Sequence, residues 1–423
     1  VVQIRILNVN KFFYVSGGSE THYFALRKLL QENGHEVIDF SMTHERNFDS
    51  DYKSYFIDKI DYNKDSSLYD KLRLSAKIVY SSEARQKISA IIRDTEPDIA
   101  HLHIFQHQMS PSILGPLKEA GIPIVYTCHD YKMLCPNYKL YVNNSVCEEC
   151  LGGNYINCLK KRCHKDSLLR SLPVTAEAYL HRFLRSYDAI GKIICPSNYM
   201  RDRLIQSGIS EKRLVFMPHF VSEELYDAAH NVIKTASDTS ILYFGRLSDE
   251  KGIELLFHAK KMLPEDIKLK IVGTGPIEGQ LKKMALDMKL KNVEFLGFKS
   301  GEELYAEIKS SRCTIIPTMV NEVFGLTIIE SYAFGTPVIG SIVGGVPEVI
   351  NEGKTGFLFE RGNPEKLALQ IRRMFMMSDA EYQSMSRNCL KELEKYAPKD
   401  YYLKLMKVYN SLLDNNTKPA AHI

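Results

Sequence analysis

A handful of residues in this chain have the types and spacing to do chemistry. "NEVFGLTIIE", residues 321–330, sets Glu322 and Glu330 on either side of the apolar turn Phe324-Gly325-Leu326. A carboxylate in an apolar run is costly to bury without a hydrogen-bond partner, and carboxylates accept hydrogen bonds from neutral donors such as sugar hydroxyls. Gly325 opens the expected helix "GLTIIESYAFG", stopped at Gly335, and as a glycine it lets backbone N–H groups approach a phosphate. The competing reading is an N-cap carboxylate followed by an exposed helical glutamate. For the bare spacing that reading has the advantage.

Arg246 and Lys251 share one loop, "FGRLSDEKGI" (244–253). Lone basic residues are ordinarily solvated surface; two fixed cations in a glycine-bearing loop can instead neutralise a diphosphate. Further glycine turns that can approach phosphate are Gly17-Gly18 in "YVSGGSETHYFALRKLL", Gly245 in the Arg246 loop, Gly275 in "VGTGP" and "VGGVPEVI" (343–350). Each such turn is equally a strand end or helix cap. His129 lies in "YTCHDY", just past an expected strand, where a histidine is more often a surface or capping residue. Five of nine cysteines crowd into "CPNYKLYVNNSVCEECLGGNYINCLKKRCH" (135–164). Cys147, Cys150, Cys158 and Cys163 offer a tetrahedral zinc set, with Cys135 or His164 as substitutes; reduced thiols in an irregular insertion are the other reading.

The elements that must position these residues alternate short β-branched runs with helical patterns, which predicts parallel α/β architecture. Strands are expected at 3–9, 35–40, 98–103, 123–128 and 189–195, and again at 240–245, 268–273, 292–297, 313–317 and 337–340. At 423 residues the chain exceeds one hydrophobic core. The expected organisation is two facing Rossmann-like doubly wound parallel-sheet domains with a cleft between them. The first spans 1–218, carries the cysteine-rich insertion 135–164 and is completed by a C-terminal helix, 398–414; the second spans 219–397. "VFMPHFVSEELY" (215–226) reads as the hinge, and a break falls at Ala397-Pro398. The last residues, "DNNTKPAAHI", read as disordered.

Bulk properties exclude several classes. A formal charge of +4 with 44% hydrophobic and 25% charged residues does not point to nucleic acid. No run is apolar enough to span a bilayer, and the N-terminus lacks the layout of a secretion signal, so a reducing cytosolic setting is expected. No G-x-G-x-x-G follows the first strand and no Walker motif occurs, which disfavours nicotinamide enzymes and P-loop NTPases. "DSD" at 49–51 sits in a polar stretch and reads as loop. The segment 159–190 joins a basic run to an amphipathic pattern (Leu172, Ala176, Leu180, Phe183, Tyr187). It reads either as a helix packed on its own domain or as a surface for anionic lipid headgroups at the inner face of the membrane.

"NEVFGLTIIESYAFGTPVIGSIVGGVPEVINEGKTGFLF" closely resembles the nucleotide-sugar region of retaining glycosyltransferases with two facing Rossmann domains, the GT-B type, family 4-like. The likeness covers most of residues 1–395 and is strongest from 240 to 360. It implies that Glu330 holds the donor ribose hydroxyls, and that Glu322 with the backbone of Val323, Phe324, Gly325 and Leu326 holds the donor sugar and diphosphate. Arg246 and Lys251 match the cationic diphosphate clamp, Gly17 and Gly18 the N-terminal glycine loop, and His129 the histidine beside the reacting sugar. The resemblance implies transfer of a sugar from a nucleoside diphosphate to a glycan, lipid-linked or other cell-envelope acceptor, with retention and no catalytic metal. An epimerase or inverting transferase on the same scaffold, or an inactive nucleotide-sugar-binding subunit, are the competing readings.

Overall fold

Short apolar runs rich in β-branched residues become parallel strands, most of them buried, in the computed structural model, which describes residues 3–59, 76–229 and 239–414. The chain divides into two compact units, one of 1–142, 147–217 and 401–423, the other of 143–146 and 218–400. In the first, β1 (Arg5–Val9), β2 (Glu36–Phe40), β3 (Ile99–Leu102) and β4 (Ile124–Thr127) join two later strands. Between them, two-residue strands β5 (Tyr141–Val142) and β6 (Ser145–Val146) lie in the cysteine segment, followed by β7 (Lys192–Cys195) and β8 (Leu214–Phe216). The main sheet runs β2-β1-β3-β4-β7-β8, all parallel. The chain reverses its direction of travel between β1 and β3, and ligands of open α/β sheets gather beyond the strand ends at such a point.

The second unit repeats the plan with β9 (Ser240–Phe244), β10 (Lys268–Val272), β11 (Val293–Gly297), β12 (Cys313–Ile316), β13 (Val338–Ser341) and β14 (Gly356–Phe359), ordered β11-β10-β9-β12-β13-β14. Here the reversal falls between β9 and β12. One hydrophobic cluster, including Leu256, Phe257, Leu367 and Ile371, packs on helices Ile253–Lys261 and Pro364–Met376. A second, including Phe324, Ile328, Ile329 and Tyr332, involves helix Leu326–Tyr332. Each fully buried Leu, Ile or Phe contributes about 1.5–3 kcal/mol.

Three strands of the main sheets differ from expectation, β8 (Leu214–Phe216) among them, since it runs into the segment read as the hinge. The run at 189–195 extends only from Lys192, because Ser186–Ala189 forms a 3₁₀ turn and the Arg213 guanidinium donates to the carbonyls of Tyr187 and Ile190. The sixth strand of the second sheet, β14, was not expected. It is four residues long and begins at Gly356, where a Cβ would stand 1.8 Å from the Val338 carbonyl oxygen. The chain closes with helix Asp379–Leu393, capped by the reciprocal Ser378/Glu381 pair, a short 3₁₀ turn, and helix Pro398–Leu413. Tyr402 and Tyr409 of that last helix bond to His35 and His101 of the first unit at 2.8 and 2.7 Å. The tail 415–423, expected to be disordered, lies outside the described residues.

Candidate functional site

In the second unit the chemistry gathers at the carboxyl ends of β9 and β12. The loop after β9 carries Gly245, Arg246 and Lys251; the segment after β12 carries Glu322, Gly325 and, on its helix, Glu330. Lys251 Nζ and Glu322 Oε1 meet at 2.5 Å, with side chains 31% and 19% exposed. The two sequence-distant candidates are thus in direct contact. Arg246 is exposed, and its carbonyl accepts from Tyr243 Oη at 2.8 Å, which fixes the loop backbone. Glu322 is held from behind, its carbonyl accepting from Gly345 N at 2.8 Å. Gly344 (φ 52°) lies so close to it that a Cβ would sit 2.2 Å from that same oxygen.

Gly325 has φ 99° and caps helix Leu326–Tyr332, so the left-handed backbone itself calls for glycine. Val323 is half-buried. Phe324 is buried, with its ring edge-on to His219 and Tyr396, and anchors the turn. Glu330 is half-buried one turn into the helix, and burial pushes its carboxyl up to about 7. Gly275 has a purely structural reason to be glycine, since a Cβ there would lie 2.1 Å from the Leu247 carbonyl oxygen. Gly245 has φ 145°, and its carbonyl oxygen is what a Cβ on Gly273 would meet, at 1.9 Å.

In the first unit, Gly17 and Gly18 are exposed at the start of helix Gly18–Glu32. Gly17 is extended, and a Cβ there would meet only ordinary contact, so its backbone does not require glycine. His129 follows β4 and is not a surface residue. Its Nε2 lies 2.9 Å from Nδ1 of His103, which follows β3, and burial holds its imidazole down at about 3, so the ring is neutral. His22, from helix Gly18–Glu32, completes a group whose ligand atoms all lie within 4.8 Å of one another. Among the described residues this is the only such metal-capable group. His103 and His22 were not singled out in the sequence. The signal available was "DIAHLH", two histidines at a strand end beside the one already chosen.

Asp49 of the "DSD" stretch is a solvent-exposed loop residue paired with Lys53 at 2.9 Å. In the cysteine segment, Cys150 and Cys158 are buried together with Tyr155 and Val174, and half-buried Cys163 packs against them. A hydrogen bond from the Cys163 thiol is the main cause lowering Cys158 to about 7, while burial raises Cys150 to about 12. Cys147 Sγ accepts from Lys161 Nζ at 3.7 Å, and Cys135 Sγ pairs with Asn137 at 2.9 Å. Beyond it, helix Leu168–Phe183 is inside out relative to the packed-helix expectation. Its inward face is Ser171, Val174, Thr175, Glu177 and His181, whereas Leu169 and Phe183 are 81% and 84% exposed and Leu168, Leu172 and Tyr179 are also exposed. The polar inner face closes on the buried ion pair Lys132–Glu177, 2.5 Å long.

Two doubly wound parallel sheets, with a cation–carboxylate pair beyond the strand ends of one and a histidine cluster beyond those of the other, define an open α/β protein with polar groups gathered past its strand ends. The model of the Glycosyltransferase Family 4 matches residues 16–225, and that of the Glycosyl transferases group 1 matches residues 228–392. The chain belongs to the family 4-like glycosyltransferases of GT-B fold. It is 25% identical over 370 residues to an uncharacterised 42.6 kDa protein in the cps region of Klebsiella pneumoniae, covering 82% of this chain and 87% of that one. It is 24% identical over 242 residues to O-antigen chain mannosyltransferase C of Escherichia coli, covering 56% of this chain and 64% of that one. The alignments span 60%, 87% and 37% of the lengths of the first three curated relatives. Anabaena Alr3699/HepE, solved with UDP and glucose, shares the fold at a TM-score of 0.66 and 18% identity over 97% of this chain and all of that one. No helix among the described residues is long and apolar enough to cross a membrane.

Proposed function

We infer that this protein is a retaining glycosyltransferase that moves a sugar from a nucleoside diphosphate to a glycan or lipid-linked acceptor in cell-envelope polysaccharide synthesis. The observation that carries the reading is the Lys251–Glu322 contact at the β9/β12 reversal, beside Arg246 and the Gly325 turn. Lys251 and Arg246 stabilise the departing diphosphate, Glu322 takes a hydroxyl of the donor sugar, and Glu330 takes the ribose hydroxyls. Glu322 is already committed to a cation, which suits a positioning role rather than that of a nucleophile. Same-face attack then follows, the departing diphosphate oxygen accepting the proton of the acceptor hydroxyl. Catalysis is positioning plus charge stabilisation. The UDP bound by Alr3699/HepE and the relatives' envelope-polysaccharide names support this donor and pathway class.

Two further elements belong to the proposal. The outward apolar stripe of helix Leu168–Phe183, flanked by exposed Arg162, Lys165, Arg170, Arg182 and Arg185, suits an anionic lipid surface, which would bring a lipid-linked acceptor to the enzyme. The thiols of Cys147, Cys150, Cys158 and Cys163 do not gather as a set within ligand distance of one another among the described residues, so a structural zinc there would have to draw the insertion together; elemental analysis of purified protein tests it, and absence of zinc removes it. The decisive experiment screens nucleoside diphosphates for thermal stabilisation and then determines the anomeric configuration of the product. No stabilising nucleotide, or an inverted product, overturns the reading.

A further inference from the structure

Three adjacent parallel strands of the first unit each contribute one member of a buried polar line. Asn8 lies in β1 and is fully buried. His103, also fully buried, follows β3, and its backbone N–H donates to the Val9 carbonyl at 2.9 Å. His129 follows β4. The contacts run Asn8 Oδ1 to His103 Nε2 at 3.1 Å, then His103 Nδ1 to His129 Nε2 at 2.9 Å. The Asn8 amide turns Oδ1 toward the ring and leaves Nδ2 buried without a partner among the described residues; in that orientation the oxygen only accepts, so His103 Nε2 carries hydrogen and its Nδ1 carries the lone pair. The second contact then requires His129 to donate from Nε2–H.

The line is also held mechanically. The His103 ring stacks on His101 with centroids 4.5 Å apart, while His129 meets it edge to edge through the hydrogen bond, centroids 5.2 Å apart. His101 in turn is fixed at both nitrogens, by Tyr409 and Thr127, each at 2.7 Å.

We propose that His103 is a positioning residue for sugar transfer: anchored on Asn8, it holds His129 in the Nε2–H tautomer, making Nδ1 the atom that accepts from a substrate hydroxyl. This rests on the reading that His129 touches the reacting sugar. Burial keeps both His101 and His129 neutral, so a fixed tautomer, not a charge, is what the line transmits. A second consequence separates this from mere packing. Asn at position 103 puts its carbonyl oxygen where the His103 lone pair stands, whereas Phe fills the space and accepts nothing.

The test uses the full-length enzyme with ¹⁵N-labelled histidine, the His129 signals being assigned by their loss in His129→Gln. The wild type is expected to show the Nε2–H tautomer at His129. His103→Phe is expected to convert it to a mixture and to lower kcat by about a hundredfold, the scale of a misoriented proton-handling group, with donor KM unchanged. His103→Asn is expected to recover both the tautomer and most of kcat. A wild-type Nδ1–H tautomer overturns the proposal, as does His103→Phe with unchanged tautomer and kcat. So does stoichiometric zinc uptake abolished by His22→Ala, because a bound ion would take the lone pair that the line requires. Wild-type kcat in His129→Gln overturns the underlying reading instead, and the tautomer, read without turnover, tells the two failures apart.

Discussion

Glu330 offers a prediction whose size follows from one structural quantity. Burial raises its carboxyl to about 7, so near neutral pH the side chain is divided between an acid and a carboxylate. A ribose diol donates two hydrogen bonds and is served by the ionised form, whose two oxygens only accept. If affinity follows the ionised fraction, it is near its plateau at pH 8 and reduced by about tenfold at pH 6, equivalent to ~1.4 kcal/mol. The assay is isothermal titration calorimetry with the stabilising nucleoside diphosphate from pH 5.5 to 8.5. Glu330→Gln serves as the reference, because the ligand's own phosphate titration is common to both proteins. The ratio of the two dissociation constants should change about tenfold between pH 8 and 6. Parallel curves for the two proteins would refute the assignment of Glu330 to the nucleoside.

The same group sets a stability trend with an unambiguous sign. Its folded value lies above its unfolded value, so between the two the native state binds the extra proton and stability falls as pH rises. The penalty is complete above pH 7 and amounts to at most ~3 kcal/mol. Glu330→Gln removes it, and should therefore raise Tm at pH 8 more than at pH 5. A larger gain at pH 5 would contradict the burial of this carboxyl.

Four other outcomes are expected. Lys251→Ala strips Glu322 of its 2.5 Å partner and should lower kcat by about 10²–10³-fold with the fold intact by circular dichroism; near-normal rates in both Lys251→Ala and Arg246→Ala would dismiss the diphosphate clamp. Glu177→Ala leaves the Lys132 ammonium buried without its carboxylate and should cost ~3–5 kcal/mol in urea unfolding, whereas a surface helix would lose almost nothing. Leu169→Ser with Phe183→Ser, both on the outward stripe, should leave Tm within a few degrees yet abolish sedimentation with anionic liposomes; undiminished sedimentation would remove the membrane reading. Gly275→Ala forces a methyl to 2.1 Å from a backbone oxygen and should destabilise the ligand-free protein by about 1–3 kcal/mol, while loss of nucleotide affinity at unchanged stability would return that glycine to the donor site.

What the sequence disclosed and what it withheld divide along a physical line. Strands β1 to β4 and β9 to β13 are legible because buried parallel strands are short apolar runs bounded by turn residues. β14 escaped because "GFLF" is too brief to show a period, and its glycine is needed for contact with β13, which only the fold brings near. Single-chain motifs likewise picked out Lys251 and Glu322 but not their pairing: nothing in the chain between them, a sequence separation of 71, indicates that the two side chains touch. The helix Leu168–Phe183 misled for the opposite reason. Its apolar period is real, but periodicity reports that a face exists and not which way it points. Direction is fixed by Glu177, whose carboxylate has a buried cation waiting in Lys132, and by His181, which bonds to Ser186 and the Val79 carbonyl. A buried charge without its partner costs more than several exposed leucines, so the polar face turns inward and the leucines are left on the outer face. The histidine line obeys the same rule at smaller scale. The neutral rings of His101 and His129 sit in the interior with both nitrogens of His103 matched between them, and the matching, not the residue type, is what hands His129 a single defined proton.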